Sequence, residues 1–277
     1  MATSDYADVF NATTTAFTKV TPRVWGPAGT ALAFQLQLRP GEAVLDVCCG
    51  TGASAIPAAT AVGPEGLVHA IDVADDLLEE GRLIVSDWAL QNIDFVTADA
   101  TTWEPPSSVP AAGYDVVSSS YGVFFLPHMD SAAARLTRLV RDGGRIGFTV
   151  WREHSLEGFA GPYFEVLSKY VPAPPPPGPM ESPREANGRI DTADKFASWL
   201  GDLGTESVVV NELSNLLPAT DDFTWDLVLG SGLRAPLARL DEATIARIRQ
   251  EFLELLAERG VHTLDMGTLV GTAVVRR

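Results

Sequence analysis

The chain has 277 residues, 46% of them hydrophobic, and its 36 acidic and 20 basic residues give a formal net charge of −16. That length suits one large domain with a substantial core and elaborations, while the acidic balance argues against nucleic acid, whose binders need a basic face. No run of about 18 apolar residues predicts a membrane span, MATSDYADVF lacks the basic and apolar regions of a secretion signal, and two adjacent cysteines, Cys48 and Cys49, suit a reduced, cytoplasmic protein in which both thiols pack as small groups.

Residues 5–38 carry scattered aromatics without alternation and read as two or three helical pieces ending at Pro40-Gly41, either a cover for a sheet or a lid over a ligand. Ala43 to Val47 then form a short apolar run of the kind that makes a fully buried parallel strand. Cys48-Cys49-Gly50-Thr51-Gly52 follows, and a helix is expected from Ser54 to Val62. Strand, glycine turn and helix start make a ligand cradle, because glycine admits close backbone approach and a helix N-terminus presents free N–H groups. A tight turn without a ligand has the same local pattern.

Further strands are expected at Leu67–Ile71, Ile93–Thr97, Asp115–Ser119 and Arg145–Trp151, with helices at Asp75–Leu90 and Asp130–Val140 between them. Asp142-Gly143-Gly144 reads as the stop of the second helix. Strands alternating with helices predict an α/β fold, a doubly wound and mostly parallel seven-stranded sheet. Past Trp151 a helix, Leu156–Tyr170, runs into a proline-rich stretch. From Val171 to Gly188 no regular element is expected, only a loop that covers a site or stays disordered. A helix (Thr192–Leu203), a strand (Glu206–Leu213), a helix (Glu242–Arg259, capped by Asp241 and stopped by Gly260) and a last strand (Thr268–Val275) complete the chain.

In open parallel sheets, ligands bind beyond the carboxyl ends of the strands. Gly50 and Gly52 follow the first strand, Asp72 ends the second 22 positions after Gly50, Asp99 follows the third, and Ser119 to Tyr121 follow the fourth. Asp72 is placed to accept from ribose hydroxyls, or else to cap a helix. Asp99 suits an exocyclic amine such as that of adenine, or else caps a turn.

VLDVCCGTG, VHAIDVADDLL, FVTADAT, YDVVSSSYGVFF and RLVRDGGRIGFTVW together resemble the motif series of class I S-adenosylmethionine-dependent methyltransferases, most closely the small-molecule branch that includes the ubiquinone/menaquinone-biosynthesis type. The resemblance covers about residues 41–152. It implies S-adenosyl-L-methionine as cofactor. Asp46, Gly50 and Gly52 would lie at its methionine end, Asp72 at the ribose, and Val73 beside the adenine. Asp99 and Ala100 would bind the adenine amine and ring, and Ser119 would lie near the sulfonium. Where the family usually has a first glycine this chain has Cys48, so the methionine pocket is expected to be reshaped. The competing reading is an NAD(P)-dependent oxidoreductase, since Gly50-x-Gly52-x-x-Ala55 satisfies the relaxed dinucleotide pattern. A non-catalytic cofactor-binding partner protein is the third.

On this reading one methyltransferase domain spans 1–277: an N-terminal cover (1–38), a cofactor-binding core (41–152) and acceptor-side insertions (152–190 and 214–266). His128 and His154 follow the fourth and fifth strands and are the expected bases, with Tyr121 and Glu153 behind them. No metal ligand set is expected. The aromatics on or after these strands suit an apolar or aromatic small-molecule acceptor, a secondary metabolite or quinone-like precursor. A homo-oligomer is compatible with all of this.

Overall fold

The computed structural model describes residues 3–172 and 181–277; the proline run at 173–180, on which the lid expectation falls, lies outside the described residues. Three helices, α1 (Thr3–Asn11), α2 (Thr14–Val20) and α3 (Trp25–Gln35), come first. The core alternates β1 (Ala43–Val47), α4 (Ala55–Val62), β2 (Leu67–Asp72), α5 (Asp75–Asp87), β3 (Ile93–Thr97), β4 (Tyr114–Ser120), α6 (Met129–Thr137) and β5 (Val140–Trp151). Then follow α7 (Glu157–Leu167), α8 (Pro183–Gly188), α9 (Ala193–Asp202), β6 (Thr205–Leu213), β7 (Leu216–Pro218), α10 (Asp221–Leu229), α11 (Glu242–Glu258), β8 (Thr263–Asp265) and β9 (Thr268–Val275). Short 3-10 segments lie at Val123–Phe125 and Gly232–Arg239.

Seven strands form one sheet in the order β3-β2-β1-β4-β5-β9-β6, with β1 to β5 parallel and β9 antiparallel to both its neighbours. This is the mostly parallel sheet that the alternation predicts. All five residues of β1 are buried because helices cover both faces of the sheet, which is why the strand is a continuous apolar run broken only by Asp46. Strand order reverses at β1, whose neighbours β2 and β4 lead away on opposite sides. That reversal opens a crevice at the carboxyl edge, where a ligand site is expected.

The glycine turn is held from above by α3. A Cβ on Gly29 would stand 2.2 Å from the Ala53 carbonyl oxygen, so only glycine lets this helix backbone touch the start of α4. Leu32 on the same helix and Leu36 just after its end reach the sheet where Gly147 leaves room for them.

Several boundaries differ from expectation. The helix before β5 ends at Thr137, and Val140 to Gly144 belong to β5, so Gly143-Gly144 is no helix stop. Val140 pairs with Tyr114, and the Arg141 guanidinium donates through Nε to Asp115 Oδ1 at 2.6 Å, drawing this stretch into the sheet. Gly143, at φ +69°, absorbs the resulting irregularity. The stretch expected to be featureless contains α8, whose N-cap Ser182 and Glu185 form a reciprocal capping box. The short β7–β8 ladder was also unpredicted.

Candidate functional site

A cavity of about 1190 Å³ opens at the carboxyl ends of the parallel strands. Its floor is the glycine turn. Cys48 and Gly50 take left-handed backbone angles, φ +55° and +54°, which turn the chain sharply out of β1. For Cys48 this conformation is one that side chains resist, and its side chain finds room only because position 122 is glycine: a Cβ there would fall 2.4 Å from Cys48 Cβ. The reshaping expected from cysteine in a glycine's place is thus matched by a missing side chain opposite. Burial pushes the Cys48 thiol well above its usual range, so it stays protonated.

Asp72 closes the turn. Its Oδ2 accepts the Gly50 N–H at 2.9 Å and its Oδ1 the Ala74 N–H at 3.0 Å. Burial raises its pKa, and these amide donors oppose the rise. Asp99 accepts both the N–H and the hydroxyl of Thr101 on Oδ1, at 2.8 and 2.7 Å, and the structure gives its Oδ2 no partner among the described residues. Gly50, Asp72, Val73, Asp99 and Ala100 all line the cavity, so five predicted cofactor residues converge.

Three others stand behind the wall. Asp46 is 0% exposed and accepts from Ser118 Oγ at 2.6 Å and Ser54 Oγ at 2.8 Å. Of these three residues only Ser54 lines the cavity, so Asp46 reaches it through that hydroxyl. Gly52, at φ +89°, lies under Phe95 and Ile56 and serves the bend of the turn. Ser119 is fully buried, its hydroxyl without a partner among the described residues, and the cavity wall continues instead with Ser120.

Burial raises Asp46 to about 6 despite the two hydroxyls. The folded state therefore holds a proton here that the unfolded chain releases near 3.8. Native stability from this group is complete below about pH 4 and falls as pH rises through about 6. Asp46→Asn is expected to flatten that decline in ligand-free protein. Chemical denaturation at a series of pH values from 4 to 7 checks it, and an unchanged slope would count against a buried, protonated Asp46.

The opposite wall is aromatic. Tyr121 stacks on Trp151 at 4.2 Å between centroids, Trp25 packs edge-on to both, and Phe17 stacks on Trp25. Tyr6 and Phe10 from α1 close against Phe125. The N-terminal helices therefore supply ligand-facing side chains as well as cover, which their sequence left open.

The predicted bases separate. His128 lines the cavity at its rim, exposed and left-handed at φ +51°, just before α6. His154 does not: its side chain is 69% exposed and bonded at 2.8 Å to Glu157 Oε1, which raises its pKa, and a left-handed turn carries it outside. Glu153 is also outside the lining. Tyr121 faces the cavity with its ring, but its hydroxyl is bonded to Thr268 and burial pushes its pKa far up, so it is a wall and no base.

The segment 181–191, nearly all of it within the expected acceptor-side insertion 152–190, forms a wall of the cavity, although none of its residues was singled out from the sequence. Asn187 ties it to β5, accepting the Trp151 N–H at 3.0 Å and donating to the Trp151 carbonyl at 3.1 Å. The Ser182-x-x-Glu185 capping signal was legible, masked by the prolines before it.

These residues fit a nucleoside with a cationic tail. Two carboxylates stand at the successive strand ends of β2 and β3, the left-handed glycine turn after β1 lies beside Asp72, and a Cβ on Gly50 would press to 3.0 Å from Phe17 Cζ, filling the cradle. A pyrophosphate would meet those carboxylates without a compensating cation from the turn.

Comparison with known proteins agrees. Residues 23–174 match the ubiE/COQ5 methyltransferase family. Over 140 residues the chain is 37% identical to aklanonic acid methyltransferase DauC from Streptomyces sp. (strain C5), covering 50% of this chain and 62% of the relative. It is 36% identical over 123 residues to nocamycin O-methyltransferase from Saccharothrix syringae, covering 44% of this chain and 42% of that one. The matches thus span about half of these curated relatives. A putative methyltransferase (BH2331) from Bacillus halodurans has the same fold, with a TM-score of 0.57 at 16% identity over 91% of this chain and 100% of that one.

Proposed function

The chain belongs to the ubiE/COQ5 methyltransferase family, whose methyl donor is S-adenosylmethionine, and from that premise we propose that it methylates an apolar or aromatic small molecule. The observation that carries this reading is the convergence of Asp72, Asp99 and the Gly50 turn on one side of a cavity whose other side is aromatic. Relatives named for aklanonic acid, nocamycin and demethylmenaquinone support a small-molecule acceptor of the secondary-metabolite or quinone-precursor kind. Among the described residues no helix is long and apolar enough to cross a membrane, and the charge of −16 opposes a nucleic-acid acceptor.

Asp72 holds the ribose hydroxyls, Asp99 and the Ala100 backbone hold the adenine edge, and Val73 packs beside the ring. Cys48, Gly50 and the Asp46–Ser54 pair border the methionine end. When bound, the donor supplies an electrophilic methyl on a sulfonium. The protein's contribution is position: Trp25, Tyr121 and Trp151 hold the acceptor and exclude water, which favours a near-attack geometry for in-line displacement. His128, at the rim, takes a proton where the acceptor releases one.

Calorimetry with S-adenosylmethionine and with NAD is the first test, and micromolar binding of the former alone is expected. An acceptor panel read by mass spectrometry then seeks a product heavier by one methylene. Tight NAD binding without S-adenosylmethionine binding would overturn the proposal.

A further inference from the structure

Acidic side chains occur on every part of the cavity lining, with Asp130 on α6, Glu157 on α7, and Glu181 and Asp191 on the segment that carries Arg184 and Arg189. Asp72 and Asp99 stand at the donor end. The arginines on its described wall are Arg152, Arg184 and Arg189. Two are neutralised by the protein itself. Arg152 binds Asp265 at 2.6 Å and faces Glu212 at 2.9 Å. Arg189 binds Asp130 at 2.7 Å and Glu181 at 3.1 Å. Arg184 has no carboxylate within ion-pair distance among the described residues, in a chain with 36 acidic side chains.

Its backbone is nevertheless well held. Arg184 lies in α8 inside the Ser182–Glu185 capping box and three residues before Asn187, which grips the Trp151 backbone, and Arg189 anchors the end of the segment to α6 through Asp130. A held helix thus presents a guanidinium with no ion-pair partner among the described residues, on a cavity that Trp25, Tyr121 and Trp151 also line. Arg184 is exposed, so a neutral apolar occupant leaves its charge in water and gains nothing from it. An anionic oxygen group would restore the balance, and the guanidinium fork suits a carboxylate in two-point contact. Asp72 and Asp99 disfavour the same anion at the donor end, whereas around α8 Asp130, Glu181 and Asp191 are paired with Arg189 and Lys195.

We propose that Arg184 is the specificity residue for an acceptor that carries an anionic oxygen group, held at the rim end of the cavity remote from the atom that receives the methyl. The acceptor is then a flat apolar body with an acidic handle. This rests on the methyl-transfer reading for the identity of the other end of the cavity.

The test uses the full chain saturated with S-adenosylhomocysteine, with quenching of tryptophan fluorescence as readout, since Trp25 and Trp151 line the cavity. The probes are 2-naphthoate, its neutral carboxamide, and 2-hydroxy-1,4-naphthoquinone, an acidic enol. The naphthoate is expected to bind roughly tenfold tighter than the carboxamide. Arg184→Gln brings that ratio to about one, and Arg184→Lys keeps part of it. The enol shows whether an enolate serves as well as a carboxylate: affinity that Arg184→Gln lowers for both assigns the site to anionic oxygen generally, and for naphthoate alone to carboxylates. Equal affinity for naphthoate and carboxamide, a ratio that survives Arg184→Gln, or no naphthoate binding would overturn the proposal. Binding of S-adenosylhomocysteine is titrated separately, so its failure counts against the donor reading alone.

Discussion

Replacing Asp72 with alanine is expected to raise the dissociation constant for S-adenosylmethionine at least 100-fold, about 3 kcal/mol, while the ligand-free protein melts close to the native temperature. The carboxylate performs two tasks at once. It accepts the Gly50 and Ala74 amides, which fixes the left-handed turn, and it receives the ribose hydroxyls in the proposed complex. Alanine leaves two amides without their acceptor and two hydroxyls without a partner, each worth about 1–3 kcal/mol where water is excluded. Ligand-free stability moves less because burial already disfavours the ionised carboxylate, as its raised pKa records, and alanine relieves that cost. Asp72→Asn keeps one acceptor oxygen and should fall between. Calorimetry and thermal melts on the three proteins measure both effects. Donor binding that survives Asp72→Ala within threefold would remove the residue from the ribose site.

The site residues divide according to how local their determinants are. Gly50, Asp72 and Asp99 were legible because each stands at or just after the end of an expected strand, and the topology of a parallel sheet brings all such ends to one edge, that of the outermost strand β3 included. His154 shows where that logic stops. It follows β5 on the correct edge, yet a left-handed turn and a partner three residues on, Glu157, rotate it into solvent. Tyr121 fails differently: nothing near it in sequence announces that its hydroxyl meets Thr268 in β9. The aromatic wall from Phe17 and Trp25 was visible only as scattered apolar residues, because its partners lie about a hundred positions away.

The fold behaves the same way. β9 was predicted to the residue, being an uncharged run of aliphatic, small and β-branched residues between Gly267 and a basic terminus, buried in the middle of a ladder. The start of β5 was not, because RLVRDGG continues the apolar spacing of α6 and ends in glycines, as a helix end does. What overrides that local pattern is a pair of non-local contacts, Val140 with Tyr114 and Arg141 with Asp115. Local chemistry here proposes a boundary that tertiary pairing then moves.

Gly29→Ala is expected to destabilise the protein by about 3 kcal/mol or more and to lower Tm by roughly 6–12 °C, although alanine is the better helix former by about 1 kcal/mol. The added methyl would stand 2.2 Å from the Ala53 oxygen, 2.5 Å from its carbonyl carbon and 2.7 Å from the Ser54 nitrogen. All three are backbone atoms, so no side-chain rotation relieves the overlap. Helix α3 cannot simply lift away, because Leu32 on it and Leu36 just after its end are buried against Gly147 in the sheet. The strain must therefore enter the turn, through Ala53 and Ser54, and Ser54 is the residue that links the buried Asp46 to the cavity. Donor affinity should fall together with stability, even though Gly29 touches no part of the proposed ligand. Gly201→Ala is the control: it lies in helix α9 with open space where the methyl would go, and should leave donor binding unchanged and stability equal or higher. If Gly29→Ala melts and binds as Gly201→Ala does, the close approach of α3 to the glycine turn does not exist in solution, and the floor of the cavity must be held by β1 and Asp72 alone.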